Sequence, residues 1–377
     1  MTQPRLLASL DEIPAAQWNA LAGDNPTVAY AFLDSLHRSG SAAPEAGWVP
    51  QYYTLWDGPK LRGAVPLYVK SHSYGEYVFD WAWADAHEQH GIAYYPKLLS
   101  AVPFTPATGP RLLAVDAATR TELAAGLLRL AKHSDASSAH VLFPPEDDAV
   151  ALREAGWLER TGVQFHWRNP GYASFEAFLA ELSHDKRKKI RQERRRVAEA
   201  GVVLRRVTGH DATADDWDFF NACYRRTYRA HRSTPYLNRA FFGMLGERMP
   251  GNTMLVIAER EGKPVASALN LYSGSALYGR YWGAAEFVAG LHFEACYYQA
   301  MEFCIERGIA LFEGGAQGEH KHARGFLPHV TRSFHWLAHP AFYRAVDEYL
   351  EREGEHIAQY VDELNDHSPF KSKPGSE

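Results

Sequence analysis

The sequence predicts an α+β protein made of two similar halves, and three observations support this prediction. The chain has 377 residues, which is more than one ordinary hydrophobic core holds. Two segments about 204 residues apart share one pattern of apolar residues and turns. In each half, this segment is followed by a helical pattern and then by a short apolar run, which is the order of an α+β layer.

The repeated segments are "YYTLWDGPKLRGAVPLYVKSHSYGEYVFDWAWA" and "MLVIAEREGKPVASALNLYSGSALYGRYWGA". Asp57-Gly58 aligns with Glu261-Gly262, and Leu67-Tyr68 aligns with Leu271-Tyr272, at one constant offset. Apolar runs bounded by glycine-containing turns predict strand, turn, strand, turn, strand in both halves. The two halves are therefore expected to superimpose.

A helix follows each repeated segment. In the first half, "TELAAGLLRLAKHS" has leucines at helical spacing, and Thr121 is the predicted cap at its start. In the second half, a helix is predicted to begin near Leu291 and to end at Gly308, a residue type typical of helix C-termini. Short buried strands are predicted next, at 139–144 and 309–313.

Composition limits the class of protein. The apolar and charged fractions are those of a folded globular chain, and no run reaches the roughly 20 apolar residues of a membrane span. The N-terminus does not resemble a signal peptide. Cys223, Cys296 and Cys304 are an odd number without CxxC spacing, which predicts reduced cysteines and a cytoplasmic protein.

Positive charge is concentrated between the halves. Residues 183–206 hold ten Lys or Arg and three acids, in a chain whose net charge is −5. A helix here has a thin apolar stripe and is predicted to present Arg187, Arg191, Arg194 and Arg195 to an anionic partner such as a nucleotide, a pyrophosphate or a tRNA backbone. The alternative is an ordinary solvated helix face.

The densest group of titratable residues is the stretch "GGAQGEHKHARGF", residues 314–326, directly after an apolar run. It contains four glycines, one carboxylate, two histidines, a lysine and an arginine. Glycine is kept where the backbone bends sharply or approaches another group closely, and clustered charges favour a bound ligand. The stretch therefore predicts a site, against the alternatives of a capped surface loop or half of a metal site. No HExxH pattern is present, so no metal is predicted.

Three stretches in order resemble the FemAB-like N-acyltransferases, specifically the branch connected with peptidoglycan biosynthesis: "RRRVAEAGV", "LYGRYWGA" with the following "FCIERGIALFEGG", and "AQGEHKHARGFLP". The resemblance covers roughly residues 48–360. It implies two GNAT-like domains: an N-terminal domain over 1–165, a basic helical connector over 166–206, a C-terminal domain over 207–365 and a tail over 366–377. It also implies amide-forming transfer of an acyl or aminoacyl group to an amine, with a small-molecule or peptide acceptor.

The resemblance leaves the donor open. Aminoacyl-tRNA and acyl-CoA are both anionic co-substrates that suit the basic helix. Arg280 to Ala285 fit the R-x-x-G-x-A pattern with which GNAT loops receive the pyrophosphate of CoA on backbone N–H groups. The predicted helix begins about seven residues too late for that role. A CoA-dependent small-molecule acetyltransferase and a non-catalytic nucleic-acid or anion-binding module therefore remain as alternatives.

The expected site residues follow from this chemistry. Glu319 or His320 is the predicted base for the amine proton, and Lys321 and Arg324 are predicted to hold a carboxylate or phosphate. Backbone N–H groups at Gly314, Gly315 and Gly318 are predicted to reach the reacting centre. The other predicted substrate-binding residues are Gln317, Tyr278, Arg280, Trp282, Lys186, Arg187, Arg191, Thr105, Thr108 and Arg111.

Overall fold

The computed structural model describes residues 2–315 and 318–371, and the chain divides into two compact units. The first unit comprises 1–163 and 330–360, and the second comprises 164–329 and 361–377. Gln317, one of the predicted binding residues, lies outside the described residues, as does the tail from 372 onward.

The strands of the described chain are β1 Gln3–Leu7, β2 Trp48–Pro50, β3 Tyr52–Asp57, β4 Lys60–Val65, β5 Leu67–Lys70, β6 Lys97–Ser100, β7 Leu113–Ala114, β8 Ser138–Leu142, β9 Leu158–Arg168, β10 Val202–Thr208, β11 Thr253–Arg260, β12 Lys263–Tyr272, β13 Ala276–Ala284, β14 Leu311–Glu313 and β15 Leu327–Leu337. The helices are α1 Ala15–Ala22, α2 Tyr30–Arg38, α3 Trp81–Gln89, α4 Ala117–Lys132, α5 Glu146–Glu154, α6 Phe175–Glu181, α7 His184–Glu199, α8 Ala214–Ala230, α9 Arg239–Arg248, α10 Leu291–Phe293, α11 Gln299–Arg307 and α12 Pro340–Asp366.

In the first unit, five strands lie in the order β2-β5-β6-β8-β15, and a separate four-stranded sheet has the order β1-β3-β4-β7. The helix α4 packs on β3, β4 and β8 and buries Leu123 and Leu127 in the main apolar core. Its cap is Asp116, whose carboxylate accepts the backbone N–H of Thr119, and not Thr121 as predicted. The helix begins four residues earlier than Thr121 because an acidic side chain is available there.

The last apolar residues of the first repeat form a helix and not the predicted third strand. Residues 60–65 and 67–70 form separate strands on either side of Pro66, and β4 and β5 belong to different sheets. Proline has no N–H for a ladder hydrogen bond, so strand pairing changes at this residue. The apolar residues at the end of the repeat, after β5, form the helix α3. Its residues Trp83 and His87 are buried with helical i,i+4 spacing.

In the second unit, β10, β11, β12 and β13 form an antiparallel meander, and β14 then pairs with β13 in parallel. The turn between β11 and β12 has positive φ at both Glu261 and Gly262, as a tight hairpin turn requires. The helix α10 begins at Leu291 and α11 ends at Gly308, as predicted. A core of mostly aromatic and aliphatic side chains, including Trp167, Phe178 and Phe312, holds these elements together.

No helix among the described residues is long and apolar enough to cross a membrane.

Candidate functional site

A pocket of about 540 Å³ opens in the second unit between the end of β13 and the start of α10. This volume is within the usual range for a site that binds a small molecule. Most of its lining is apolar or aromatic: Trp282, Ala284, Ala285, Phe287, Val288, Leu291 and Phe293. The polar lining residues are Arg226, Glu286 and His292, of which Glu286 forms an ion pair with Arg260.

The backbone of β13 is irregular just before the pocket. The pairing of β12 with β13 shifts register so that Arg280 is an extra residue between Gly279 and Tyr281. Such a bulge bends a strand and increases its twist. The strand also pairs with β14 over Ala276–Tyr278 and continues beyond that contact to Ala284, where the pocket begins.

The helix that follows is also irregular. After the short α10, Glu294–Tyr298 form a π-helical turn before the regular α11. A π-turn is rare and is frequently found at functional sites, because it rotates side chains away from their α-helical positions. Here the turn contains two consecutive buried tyrosines, Tyr297 and Tyr298, which make different hydrogen bonds.

Tyr297 is hydrogen-bonded to one of the predicted catalytic residues. Its hydroxyl lies 2.9 Å from Nε2 of His320. His292, which lines the pocket, has its ring centroid 6.1 Å from that of His320 and 5.4 Å from that of Tyr297. The pocket wall is thus in direct contact with the His320–Tyr297 pair.

Both histidines are neutral at physiological pH. Burial lowers the pKa of His292 to about 4, and the nearby cations Arg324 and Lys321 lower it further. Burial and the nearby Lys321 lower the pKa of His320 below its usual value. Burial raises the pKa of Tyr297, so its hydroxyl keeps its proton. The described residues offer no hydrogen-bond partner to either ring nitrogen of His292, which is therefore able to accept a proton.

A buried ion pair holds these groups in place. Arg324 is 2% exposed and donates from Nη2 and Nε to the carboxylate of Glu193, at 2.6 and 3.2 Å. The same carboxylate accepts the hydroxyl of Tyr298. Arg324 also donates from Nη1 to the backbone carbonyl of His320 at 2.6 Å, and its guanidinium lies 3.3 Å from the ring centre of Phe293.

Arg324 therefore does not have the predicted role of a cation open to a substrate carboxylate or phosphate. Its guanidinium is buried and bonded to Glu193 and His320. It fixes the backbone of His320 and packs on the pocket residue Phe293, which makes it a positioning residue.

Lys321 lies next to Gly314 and Gly315. Lys321 is 2% exposed, and its Nζ donates to the carbonyl of Gly315 at 2.9 Å. A Cβ at Gly314 would lie 2.9 Å from Phe326 and 3.2 Å from Lys321, so only glycine fits there without a shift. Burial lowers the pKa of Lys321 to about 8, close enough to neutrality for a fraction of the amine to be uncharged.

Glu319 is the first residue of a 3-10 turn that spans Glu319–Arg324, and its side chain is exposed. His320 follows it, also largely exposed, and points to Tyr297. The predicted pair of catalytic residues is thus at the solvent side of the cluster, with Lys321 and Arg324 beneath it.

The three residues predicted from "LYGRYWGA" occupy different surroundings. Trp282 lines the pocket, and its ring is 5.3 Å from that of His292. Tyr278 is buried, and Arg280 is half-buried with its guanidinium beside the ring and hydroxyl of Tyr281. Neither is among the residues that line the pocket.

The basic helix α7 departs from the prediction at Arg194. Arg194 points inward and forms ion pairs with Glu294 and Glu302, at 3.1 and 2.7 Å. Arg191 is exposed and pairs with Glu176, and Lys186 and Arg187 are half-buried. The prediction of Arg194 as an outward cation missed the acids on the helix region 294–302, which lie about 100 residues away in sequence.

The remaining predicted residues, Thr105, Thr108 and Arg111, lie in the first unit in the coil between β6 and β7. Arg111 is fully buried and donates to the carbonyl oxygens of Gly109 and Ala107, both at 2.8 Å. Thr105 is buried and Thr108 half-buried. Arg111, predicted to bind substrate, is therefore a buried residue that holds a proline-rich loop together.

Sequence reasoning missed most of the pocket lining and its supporting residues, among them Glu193, Arg226, His292, Phe293, Tyr297 and Tyr298. One signal was present. Glu193 lies between Ile190 and Val197 at helical spacing, so an acid occupies the buried stripe of an otherwise basic helix. A buried carboxylate requires a partner, and Arg324 is that partner.

Comparison with known proteins places the chain among acyltransferases. The FemAB-like family model, described as peptidoglycan biosynthesis/recognition, matches residues 9–372. No curated protein sequence matches the chain.

Among solved structures, FemX has a TM-score of 0.56 at 11% identity, over 89% of this chain and 98% of FemX. L-PGS from Bacillus licheniformis has a TM-score of 0.54 at 9% identity, over 91% and 97% of the two chains. A tandem GNAT protein from the clavulanic acid biosynthesis pathway has a TM-score of 0.45 at 12% identity, over 90% and 99%. The predicted fold class of two GNAT-like domains is confirmed.

Proposed function

Because this chain belongs to the FemAB-like family and is an N-acyltransferase, we propose that amide formation takes place at the pocket in its second unit, beside His292. The observation that carries this proposal is the contact between the pocket residue His292 and the hydrogen-bonded pair His320–Tyr297. A proton acceptor, a hydroxyl donor and space for a substrate meet at this point.

The reaction needs an amine to lose a proton and an acyl carbonyl to accept negative charge. The amine nitrogen bonds to the acyl carbon, and the bond from that carbon to the donor's oxygen or sulfur breaks. In our proposal the amine proton moves to a histidine and then to the leaving group.

His320 is the proposed acceptor of the proton. When its Nε2–H donates to the oxygen of Tyr297, its Nδ1 carries the lone pair and the hydroxyl hydrogen of Tyr297 is left for the developing oxyanion. His292 is the alternative acceptor, because its ring is neutral and lines the pocket. Arg324 supports either role by fixing the backbone of His320.

The role of Glu319 remains a proposal of its own. Glu319 precedes His320 in the sequence, and its carboxylate is exposed. In this proposal the carboxylate either takes the amine proton or orients the acceptor amine by its charge. Glu319→Gln tests this: a base is expected to contribute a factor of roughly 10² to 10⁴ in kcat. Near-full kcat in this variant would leave the histidines as the base.

The donor is proposed to be anionic, with an aminoacyl-tRNA or an acyl-CoA as candidates and α7 as its electrostatic contact through Lys186, Arg187 and Arg191. Backbone capture of a CoA pyrophosphate by the loop after β13 has a specific obstacle. The N–H groups of Ala285 and Glu286 both point to the carbonyl of Val265, at 2.7 and 3.4 Å. Binding of a phosphate there would have to displace these bonds.

The acceptor is proposed to be an amine of a peptidoglycan-related or amino-acid-like molecule, in keeping with the description of the family. Cytoplasmic location is part of the same proposal. It is supported by three free cysteines, of which Cys223 and Cys304 are buried.

The experiment that tests this function is a thermal-shift screen of acyl-CoA esters, aminoacyl-tRNA and nucleotide-linked sugars, followed by a turnover assay with each stabilising pair. A ligand at a hundred times its Kd raises the free energy of unfolding by about 2.7 kcal/mol, which is readily seen. Amide product that is lost in His320→Asn supports the proposal. Tight binding without turnover for any donor–acceptor pair would instead support an anion-binding module.

A further inference from the structure

We propose that the protein docks through its pocket mouth onto the surface of a lipid bilayer that carries anionic headgroups. The docking surface, called the mouth surface below, consists of Phe287 and the arginines Arg225, Arg226 and Arg229 of α8.

The first observation is the exposure of Phe287. This side chain is 94% exposed, the highest exposure of any large apolar residue in the described chain. It belongs to the loop that lines the pocket, next to the half-buried Val288. Burying a phenylalanine removes apolar surface from water and is worth about 1.5 to 3 kcal/mol, so this exposed ring would gain that free energy on entering an apolar phase.

The second observation is a row of unpaired cations. Arg225, Arg226 and Arg229 are all exposed and lie at i, i+1 and i+4 on the outer side of α8. None forms an ion pair or hydrogen bond through its side chain with the residues that the structure describes. The sequence from 219 to 246 contains no Asp or Glu, and the acids of α8 lie at 215–218, about two turns before Arg225.

Several other arginines of the same unit are ion-paired. Arg194, Arg205 and Arg206 each form ion pairs with acids. In a chain with a net charge of −5, an arginine row without acids concentrates positive potential on one surface.

The two observations meet at one place, because Arg226 and Phe287 line the same pocket. An exposed aromatic side chain next to several unpaired cations suits an anionic bilayer: the ring enters the headgroup region, and each Lys or Arg gains about 1 kcal/mol near the surface. A single-stranded nucleic acid is bound through several stacked aromatic side chains along a basic groove. The mouth surface offers one projecting ring, which favours the bilayer.

The proposed docking also orients the pocket. Docking in this orientation would place its opening at the headgroup region, where a substrate carried by a lipid would enter without leaving the membrane. The inference itself concerns binding alone and does not depend on the proposed acyl transfer.

Co-sedimentation of the full-length protein with lipid vesicles tests the inference. Vesicles of phosphatidylcholine alone are compared with vesicles of equal parts phosphatidylcholine and phosphatidylglycerol. We expect binding to the anionic vesicles that weakens as salt is added. Replacing Arg225, Arg226 and Arg229 together by Gln should weaken it by on the order of 10²-fold, since each charge contributes roughly a factor of five. Phe287→Ser should weaken it at every salt concentration.

The matched control is Lys188, Lys189 and Arg195 of α7, which are exposed and whose replacement by Gln removes the same charge from another helix. This variant should keep its binding within a few-fold, and all variants should keep the parent melting temperature because the residues are exposed. Absence of binding to anionic vesicles overturns the inference, as does an equal loss in the α7 control. Salt-dependent binding of a single-stranded oligonucleotide without vesicle binding would assign the surface to nucleic acid instead.

Discussion

The two units each bury a network of charged side chains, and the two networks differ in what they touch. In the first unit, the fully buried Lys97 donates to Glu76 and Asp80, and Asp80 also accepts the hydroxyl of Tyr94. In the second unit, Arg324 donates to Glu193 and also to the backbone of His320, next to the pocket residue Phe293.

The first network extends further into the interior. Tyr94 lies 3.3 Å from Nε2 of His140, and Nδ1 of His140 lies 2.7 Å from Nδ1 of His335. Burial raises the pKa of Glu76 to about 7 against the attraction of Lys97, and burial lowers the pKa of His140 to about 3. Perturbed pKa values of this size are often used to locate functional sites.

Both networks are buried and contain perturbed pKa values, so these properties do not distinguish a structural role from a catalytic one. Contact with a pocket distinguishes them, because a substrate can reach His292 and His320 but has to displace packed residues to reach His140. We therefore assign the first network to stability and the second to the support of catalysis.

The largest expected effect is on turnover. His292→Asn and His320→Asn remove the two candidate proton acceptors, and the one that acts as the base should lower kcat by roughly 10² to 10⁴. If the two histidines act as one unit, the double variant loses little more than the more damaging single one. His184→Asn, at an exposed histidine of the same unit, is the control and should keep its kcat. Full kcat in both single variants would show that the reaction does not take place at this pocket.

The next largest effect is on stability, and it distinguishes the two networks. Lys97→Met and Arg324→Met each leave a buried carboxylate unpaired, so each should lower the free energy of unfolding by about 3 to 5 kcal/mol. Denaturant unfolding at low temperature measures this loss. Per folded molecule, only Arg324→Met should also lower kcat, because His320 and Phe293 lose their support. An equal fall in specific activity for Lys97→Met would contradict the division of roles.

The pH dependence of stability should be dominated by the buried histidines. Burial lowers the pKa of His37 and His292 to about 4 and of His140 to about 3, against about 6.5 in an unfolded chain. Between pH 6.5 and 4 the unfolded chain binds more protons, so stability is present above pH 6.5 and is lost as the pH falls. Glu76 and Asp148, whose pKa values are raised to about 7 and about 6, oppose this trend but are fewer. Midpoints of denaturant unfolding should fall across this range, and a constant or rising midpoint would be evidence against neutral buried histidines.

A smaller effect concerns α7. Joint replacement of Lys186, Arg187 and Arg191 by Gln should raise KM for the anionic donor and flatten its salt dependence, with little change in kcat. Arg191 is expected to contribute least, since it already pairs with Glu176. Unchanged KM and salt dependence would return this face of α7 to an ordinary solvated surface.

Local patterns in the sequence were sufficient for the helix from Leu291 to Gly308, the strand after it and the meander of the second unit, because turn glycines and apolar spacing are local properties. They were misleading at Trp81–Gln89, where aromatic residues fit a strand or a helix equally well. The site depended on contacts between distant positions. Arg324 looked like a free cation because its partner Glu193 is 131 residues away, and the π-turn that places Tyr297 and Tyr298 leaves no pattern in the sequence.

Amide formation at the pocket of the second unit requires the acyl group of the donor to enter that pocket, and Ala285→Trp tests whether it does. Ala285 lines the pocket, and a tryptophan there fills the space while the backbone N–H remains. With a donor identified by thermal shift, we predict that this variant loses the donor-induced rise in melting temperature and loses turnover, whereas Val203→Trp, at a position 70% exposed on β10, keeps both. A donor shift of parent size in Ala285→Trp would contradict the claim and place the donor elsewhere.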